Sequence, residues 1–140
     1  AREGDQEAAR KAFATMGEVA GDAMATAVTL IDGVIVIGGG ITAAKKYIMP
    51  ALLKELRSQM HSISGEEFDR VQMKVYDLDN NDEFEQFARG ASRELKVYGT
   101  DKSVTYDPQK RIGVMISKIG ASKAISLGAY AFALNEVDKM

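Results

Sequence analysis

A short apolar run that breaks into glycines constrains this chain more than any other feature of its sequence. Residues 34–37 read Val-Ile-Val-Ile, and Gly38, Gly39 and Gly40 separate them from a helical pattern that opens at Thr42. Glycine has no Cβ, so its backbone can take positive φ and a ligand can approach its N–H groups closely. The first N–H groups of the following helix are unpaired and carry partial positive charge. The run therefore predicts a phosphate-binding turn; the alternative is a plain strand-to-helix turn, for which one glycine suffices.

The residues before this turn predict one long helix. Apolar side chains recur at intervals of three and four over residues 8–31, which is the pattern of one buried helical face. Asp32 and Gly33 end that helix, because Gly is the usual residue after a helix C-terminus. The unbroken apolar run at residues 34–37 then predicts a buried central strand.

A second helix is expected to open at Thr42 and Ala43, and Pro50 is expected to kink or restart it. Its inward-facing side chains are predicted to be Tyr47, Ile48, Leu52, Leu56 and Met60. Residues 62–65 should end this unit. Apolar and polar side chains alternate over residues 71–76, which predicts a second strand, more exposed than the first.

Residues 77–110 are more polar and richer in turn signals than their surroundings. We expect a surface excursion there, holding a short helix at residues 83–89 and a hairpin between residues 95–97 and 104–106. Such an excursion could cover a cleft or contact a second subunit.

The remaining residues predict an apolar strand at 112–117, a turn at 118–122 and a final helix at 121–137. That last helix is rich in Ala and Gly, so another helix or a ligand could come close to it. Helices that alternate with strands predict an α/β fold with a mixed or parallel sheet flanked by long helices. The 140 residues suit a single domain.

Composition excludes several classes of function. The net charge is -2, so there is no basic excess to neutralise a nucleic acid backbone. The chain has no Cys and one His, which excludes disulfides and thiolate metal sites and suits a cytoplasmic location. His61 is expected to be exposed at a helix end, and no metal site is predicted. No apolar stretch reaches the roughly 18 residues of a membrane span, so no membrane partner is expected.

Two phosphate-binding schemes compete for the glycines. Gly38, Gly40 and Ala43 satisfy the dinucleotide fingerprint G-x-G-x-x-G/A between a strand and a helix. That fingerprint also expects an acidic residue about 20 positions further on, whereas the nearest acid at a strand end is Asp77. The Lys-Ser/Thr pair of a P-loop does not follow the glycines. An NAD-binding, Rossmann-type domain therefore stays open as an alternative.

A longer set of residues resembles the C-terminal half of the ROK family. The matching positions are Glu7, Ala8 and Ala9, the small residues Gly17, Gly21, Ala23 and Ala25, residues 30–42 and residues 120–131. That family contains bacterial sugar kinases, glucokinases among them, and sugar-responsive repressors. All of them have the actin- and hexokinase-type ATPase fold, a ribonuclease H-like architecture.

The resemblance implies a nucleotide site and a reaction. The residues that would line the nucleotide cleft are Gly38, Gly39, Gly40, Thr42, Gly120, Ala121 and Ser122. The resemblance also implies that ATP, with Mg²⁺, donates its γ-phosphoryl group to a hydroxyl of a hexose such as glucose.

The chain lacks the family's N-terminal phosphate loop, catalytic Asp, sugar-binding acids and zinc cluster, so we expect no catalytic residue in it. It would supply one wall of the cleft in a larger, homo-oligomeric protein, an expectation that the absence of an initiator Met also suggests. A ROK-type transcriptional regulator is a further alternative, because the residues that would distinguish it lie upstream.

Overall fold

The computed structural model describes residues 6–139. Residues 1–5 and Met140 lie outside that range. The prediction that the chain is part of a larger protein, so far as it depends on its first residue, therefore falls outside the described residues. The described helices are α1 (Gln6–Leu30), α2 (Lys45–Leu56), α3 (Asn81–Arg89) and α4 (Ala121–Val137), with a short 3₁₀ helix at Gly40–Ala44. The strands are β1 (Ile35–Ile37), β2 (Gln59–His61), β3 (Glu67–Asp69), β4 (Lys74–Asp77), β5 (Arg93–Lys96), β6 (Ser103–Tyr106) and β7 (Arg111–Ile116).

A three-stranded parallel sheet in the order β1-β7-β4 forms the centre, and two antiparallel hairpins, β2-β3 and β5-β6, accompany it. Ile112 and Val114 of β7 are fully buried. The prediction that residues 34–37 form the central strand is wrong for the described chain, because β1 pairs only with β7 and Val36 is 57% exposed. β4 is more buried than β1, contrary to expectation, since β7 and α2 cover Val75. The predicted α/β class with a parallel sheet is confirmed.

Helices α1 and α2 lie in close contact through two glycines of α1. A Cβ on Gly21 would come within 2.8 Å of both the Cβ of Glu55 and the carbonyl oxygen of Leu52, and a Cβ on Gly17 would meet the carbonyl oxygen of Ile48. Ile48, Leu52 and Leu56 are buried, as predicted. The small residues of α1 therefore set how near α2 can approach.

α2 begins three residues later than predicted, and Pro50 lies in its interior. The α-helix opens at Lys45, because Thr42 and its neighbours form a 3₁₀ turn in which the N–H of Thr42 donates to Gly39. Pro50 lies inside α2, which continues to Leu56, so it does not restart the helix. Tyr47 is half-buried against Phe13, with ring centroids 6.1 Å apart.

The helix predicted to run to residue 60 ends at Leu56, and the β2-β3 hairpin follows it. Met60 belongs to β2 and is 37% exposed, so it is not an inward-facing helix residue. The N–H of Arg70 donates to the carbonyl of Ser58 at 2.9 Å, which ties the far side of the hairpin to the end of α2. His61 is exposed, as expected, but it lies in a strand, with Nε2 3.1 Å from Glu67 Oε1.

Residues 77–110 contain the short helix and the hairpin that the sequence predicts. The side chain of Asn80 caps α3 by accepting from the N–H groups of Asp82 and Glu83. Every residue of β5 and β6 is exposed. The hairpin thus makes little contact with the described core.

We expect backbone amides of the β5-β6 hairpin to exchange hydrogen faster than those of helix α1, which packs against α2 through its buried residues Gly17, Gly21, Ala25 and Val28. With its strands exposed on both faces, the hairpin should open at least about tenfold more often, or ~1.4 kcal/mol more easily. Hydrogen–deuterium exchange followed by mass spectrometry measures this directly. Equal protection of the two segments would show that the hairpin belongs to the core.

Gly21→Ala should lower the free energy of unfolding by about 1–3 kcal/mol, because the added methyl group would clash with the backbone of α2. Gly128→Ala in α4 is the matched control, since its Cβ would meet no described atom within 4 Å. That variant should gain up to about 1 kcal/mol from helix propensity. Urea denaturation of both variants checks the pair; the same sign of change in both would contradict the close contact.

Candidate functional site

Two of the segments singled out by the sequence begin side by side. β1 and β7 are parallel, and Ile37 lies opposite Ile116 at their ends. The N–H of Ser117 donates to the carbonyl of Ile37 at 2.8 Å, and a Cβ on Gly38 would lie 3.8 Å from Ser117 Cβ. The glycine turn and the turn leading to Gly120 therefore leave the same end of the sheet, which we call the carboxyl edge.

The glycine turn has a fixed shape and an open front. Gly39 has φ +93° and ψ -178°, a conformation that residues with a Cβ rarely adopt. The N–H and the hydroxyl of Thr42 both donate to the carbonyl of Gly39, at 3.2 and 2.8 Å. A Cβ on Gly39 or Gly40 would meet no described atom within 4 Å. The hydroxyl proton of Thr42 is thus used in the hydrogen bond that holds the turn. The space in front of Gly39 and Gly40 is open and could admit a ligand.

The two helices that start at the carboxyl edge have uncapped N-termini. α2 follows Ala44 and α4 follows Gly120, and within residues 6–139 no side chain caps either of them. Neither has an acidic residue in its first turn, whereas α3 has both a cap and two acids there. The N–H of Lys45 donates to the carbonyl of Thr42, so the 3₁₀ turn supplies an acceptor at the start of α2. α4 has no such turn before it, so its first N–H groups and the positive end of its dipole favour a negative ligand group at this edge. Ala121 and Ser122 are exposed in that first turn.

A third strand brings acidic residues to the same edge. β4 ends at Asp77 opposite Val114, and the Oδ2 of Asp79 accepts from the N–H of Ile116 at 3.3 Å. The Nζ of Lys45, at the start of α2, lies 3.9 Å from the same oxygen. Sequence reasoning considered Asp77 but missed Asp79 and Lys45. The only local signal was an acid shortly after an apolar strand, and the pairing of β4 with β7 could not be inferred from it.

The strand order weighs against the dinucleotide fingerprint. That fingerprint places its acid at the end of the strand next to the glycine turn. Here β7 lies between β1 and β4, so Asp77 is not on the neighbouring strand.

The cavity next to the glycine turn is small. An apolar cavity of about 160 Å³ lies behind the turn, lined among others by Ile41, Thr42 and Ile116. Ligand pockets typically measure about 300–1,000 Å³, so this one is too small for a nucleotide. Larger cavities of about 430 and 660 Å³ are lined by other residues, around Glu83 and around Phe68 respectively.

The two lysines at the start of α2, Lys45 and Lys46, contact different groups. The Nζ of Lys46 lies 4.8 Å from the centroid of the Tyr47 ring. A hydrogen bond from Lys46 lowers the pKa of the Tyr47 hydroxyl. Lys46 is thus engaged with Tyr47, while Lys45 faces Asp79.

Residues 6–139 contain no group of three or more His, Cys, Asp or Glu side chains that could hold a metal ion. No helix in this part of the chain is long and apolar enough to cross a membrane.

Comparison with known proteins gives one clear similarity. No protein-family model and no curated protein matches the chain. A crystal structure of a glucokinase from Parabacteroides distasonis matches 94% of this chain at 53% sequence identity, with a TM-score of 0.80. The chain spans 35% of the length of that glucokinase. The predicted resemblance to a glucokinase is therefore confirmed, and the chain is similar to one segment of that enzyme over nearly all of its length.

Proposed function

We propose that this chain is the nucleotide-binding part of an ATP-dependent hexose kinase of the ROK family, with the actin-like ATPase fold. The observation that carries the proposal is the meeting of the glycine turn and the turn after β7 at one edge of a parallel sheet. Ligands of open parallel sheets bind outside the carboxyl ends of the strands. The 53% identity to a glucokinase supports a sugar such as glucose as the phosphoryl acceptor.

The residues at the carboxyl edge fit an ATP molecule. Gly39 and Gly40 leave open space where any side chain would stand, and the uncapped N-terminus of α4 favours a nearby negative charge. On this proposal one side of the nucleotide contacts Gly38, Gly39, Gly40 and Thr42. The other side contacts Gly120, Ala121 and Ser122.

Metal and base would come from elsewhere. No group of three or more His, Cys, Asp or Glu side chains among the described residues could hold Mg²⁺, so on this proposal the ion arrives with the phosphates of ATP, where it neutralises charge during transfer. The base that activates the sugar hydroxyl and the residues that bind the sugar are proposed to belong to the rest of a glucokinase-like protein. This chain's part is to bind and orient the nucleotide, in a cytoplasmic protein that is a homo-oligomer. No observation favours the regulator or the NAD-binding domain over the kinase.

Gly40→Val should weaken ATP binding about 10–100-fold, because the branched side chain would occupy the ligand space and remove contacts worth about 1.5–3 kcal/mol. Gly40 suits this test better than Gly39, since it has no positive φ and its Cβ would meet no described atom within 4 Å. Gly33→Val is the control, being equally open but before β1 rather than after it. Calorimetric titration of the intact protein with ATP, and separately with NAD, measures the effect. An unchanged ATP affinity for folded Gly40→Val would contradict the site, and tight NAD binding would favour a dinucleotide domain.

The 140-residue chain alone should not phosphorylate glucose. Phosphoryl transfer depends on positioning both reactants, which can supply ~7–11 kcal/mol of the barrier reduction, and this chain provides only one side of the cleft. A coupled ADP-release assay with ATP and glucose tests this, with the Parabacteroides glucokinase as the positive control. Turnover by the short chain at a comparable rate would show that it contains a base and a sugar site of its own.

A further inference from the structure

Lys45 and Asp79 form a pair of opposite charges at the carboxyl edge that phosphate binding does not require. The Nζ of Lys45 lies 3.9 Å from Asp79 Oδ2, beyond the roughly 2.7–3.2 Å of a hydrogen bond. The lysine side chain is 56% exposed and the aspartate side chain 19% exposed. The two groups are therefore close enough to act together, yet the ammonium still has donors to offer and the carboxylate has lone pairs to offer.

Backbone contacts fix the position of this pair relative to the glycine turn. Asp79 Oδ2 accepts from the N–H of Ile116, and the next N–H along β7, that of Ser117, donates to Ile37. The N–H of Asp79 also donates to Asp77 Oδ1 at 2.9 Å. One line of hydrogen bonds thus crosses the ends of β4, β7 and β1. It places the carboxylate against Ile116 of β7, which is paired with Ile37 of the strand that leads into the turn.

The chemistry of the pair suits hydroxyl groups better than phosphate. A hydroxyl can donate to a carboxylate and accept from an ammonium, so two neighbouring hydroxyls match a donor beside an acceptor. A phosphate at this point would face the carboxylates of both Asp77 and Asp79 against the one ammonium of Lys45. In a nucleotide, the group with neighbouring hydroxyls is the ribose.

We propose that Lys45 and Asp79 bind the 2′- and 3′-hydroxyls of the ribose of the nucleotide held at the glycine turn. The pair thereby selects ribonucleotides over deoxyribonucleotides. This inference rests on the proposed nucleotide-binding function and assigns the part of the nucleotide that meets the end of β4. In dinucleotide-binding folds, whose strand order is different, a carboxylate at a strand end also accepts a hydrogen bond from a ribose hydroxyl. A carboxylate in the position of Asp79 is therefore a suitable acceptor for ribose.

The test compares the affinities of the intact protein for ATP, 2′-deoxyATP and 3′-deoxyATP. Wild type should bind ATP about tenfold more tightly than at least one of the deoxy analogues, since a hydrogen bond to a charged group is lost. Lys45→Met and Asp79→Asn should reduce that preference to near unity by weakening ATP binding alone. Both variants should fold, because Lys45 is largely exposed and the Asn amide oxygen can still accept from Ile116.

Lys46→Met is the matched control, since the ammonium of Lys46 lies against the ring of Tyr47. It should keep the preference for ATP at the wild-type value. Equal binding of all three nucleotides by wild type would overturn the ribose assignment while leaving the nucleotide site intact. Equal weakening of all three by Lys45→Met would also overturn it. If wild type bound no ATP, the proposed function itself would fail and this inference with it.

Discussion

The contact of α1 with α2 through Gly17 and Gly21 is the constraint on which the site depends. Both glycines lie where any Cβ would strike the backbone or side chains of α2, so the two helices pack at a distance that larger residues would not allow. α2 buries Leu52 and Leu56 in the same core as Ile112 and Val114 of the sheet. Because the 3₁₀ turn leads directly into α2, holding α2 in place also holds the glycine turn against the end of β1.

The parallel sheet then gathers residues that are far apart in the chain. Parallel strands put all of their carboxyl ends at one edge, so the turn after β1, the turn after β7 and the acids after β4 meet there. Ser117 connects β7 to β1 by its N–H, and Asp79 connects β4 to β7 by its carboxylate. The chain spans 35% of the length of a similar glucokinase, and this edge is where we propose that the nucleotide binds.

The N-termini of the helices differ in whether side chains of the chain cap them. α3 begins with the Asn80 cap and two acidic residues, which satisfy its N–H groups and its dipole within the chain. α2 and α4 have neither, and both begin at the carboxyl edge. α4 thereby gives up the roughly 0.5–2 kcal/mol that a capping side chain contributes, whereas the 3₁₀ turn supplies an acceptor for the N–H of Lys45 at the start of α2.

The sequence by itself determined the features that depend on neighbouring residues. These include α1, the glycine turn, the excursion elements α3 and β5-β6, and the bounds of α4, because helical periodicity, turn residues and caps act over a few positions. The tertiary structure alone decided that β1 lies at the edge of the sheet formed by residues 6–139, that Met60 lies in a hairpin, and that Asp79 lies near Lys45. Each of these depends on which strands pair. That choice is set by the total burial of segments distant in sequence, such as Ile35 against Val114, and no local pattern records it.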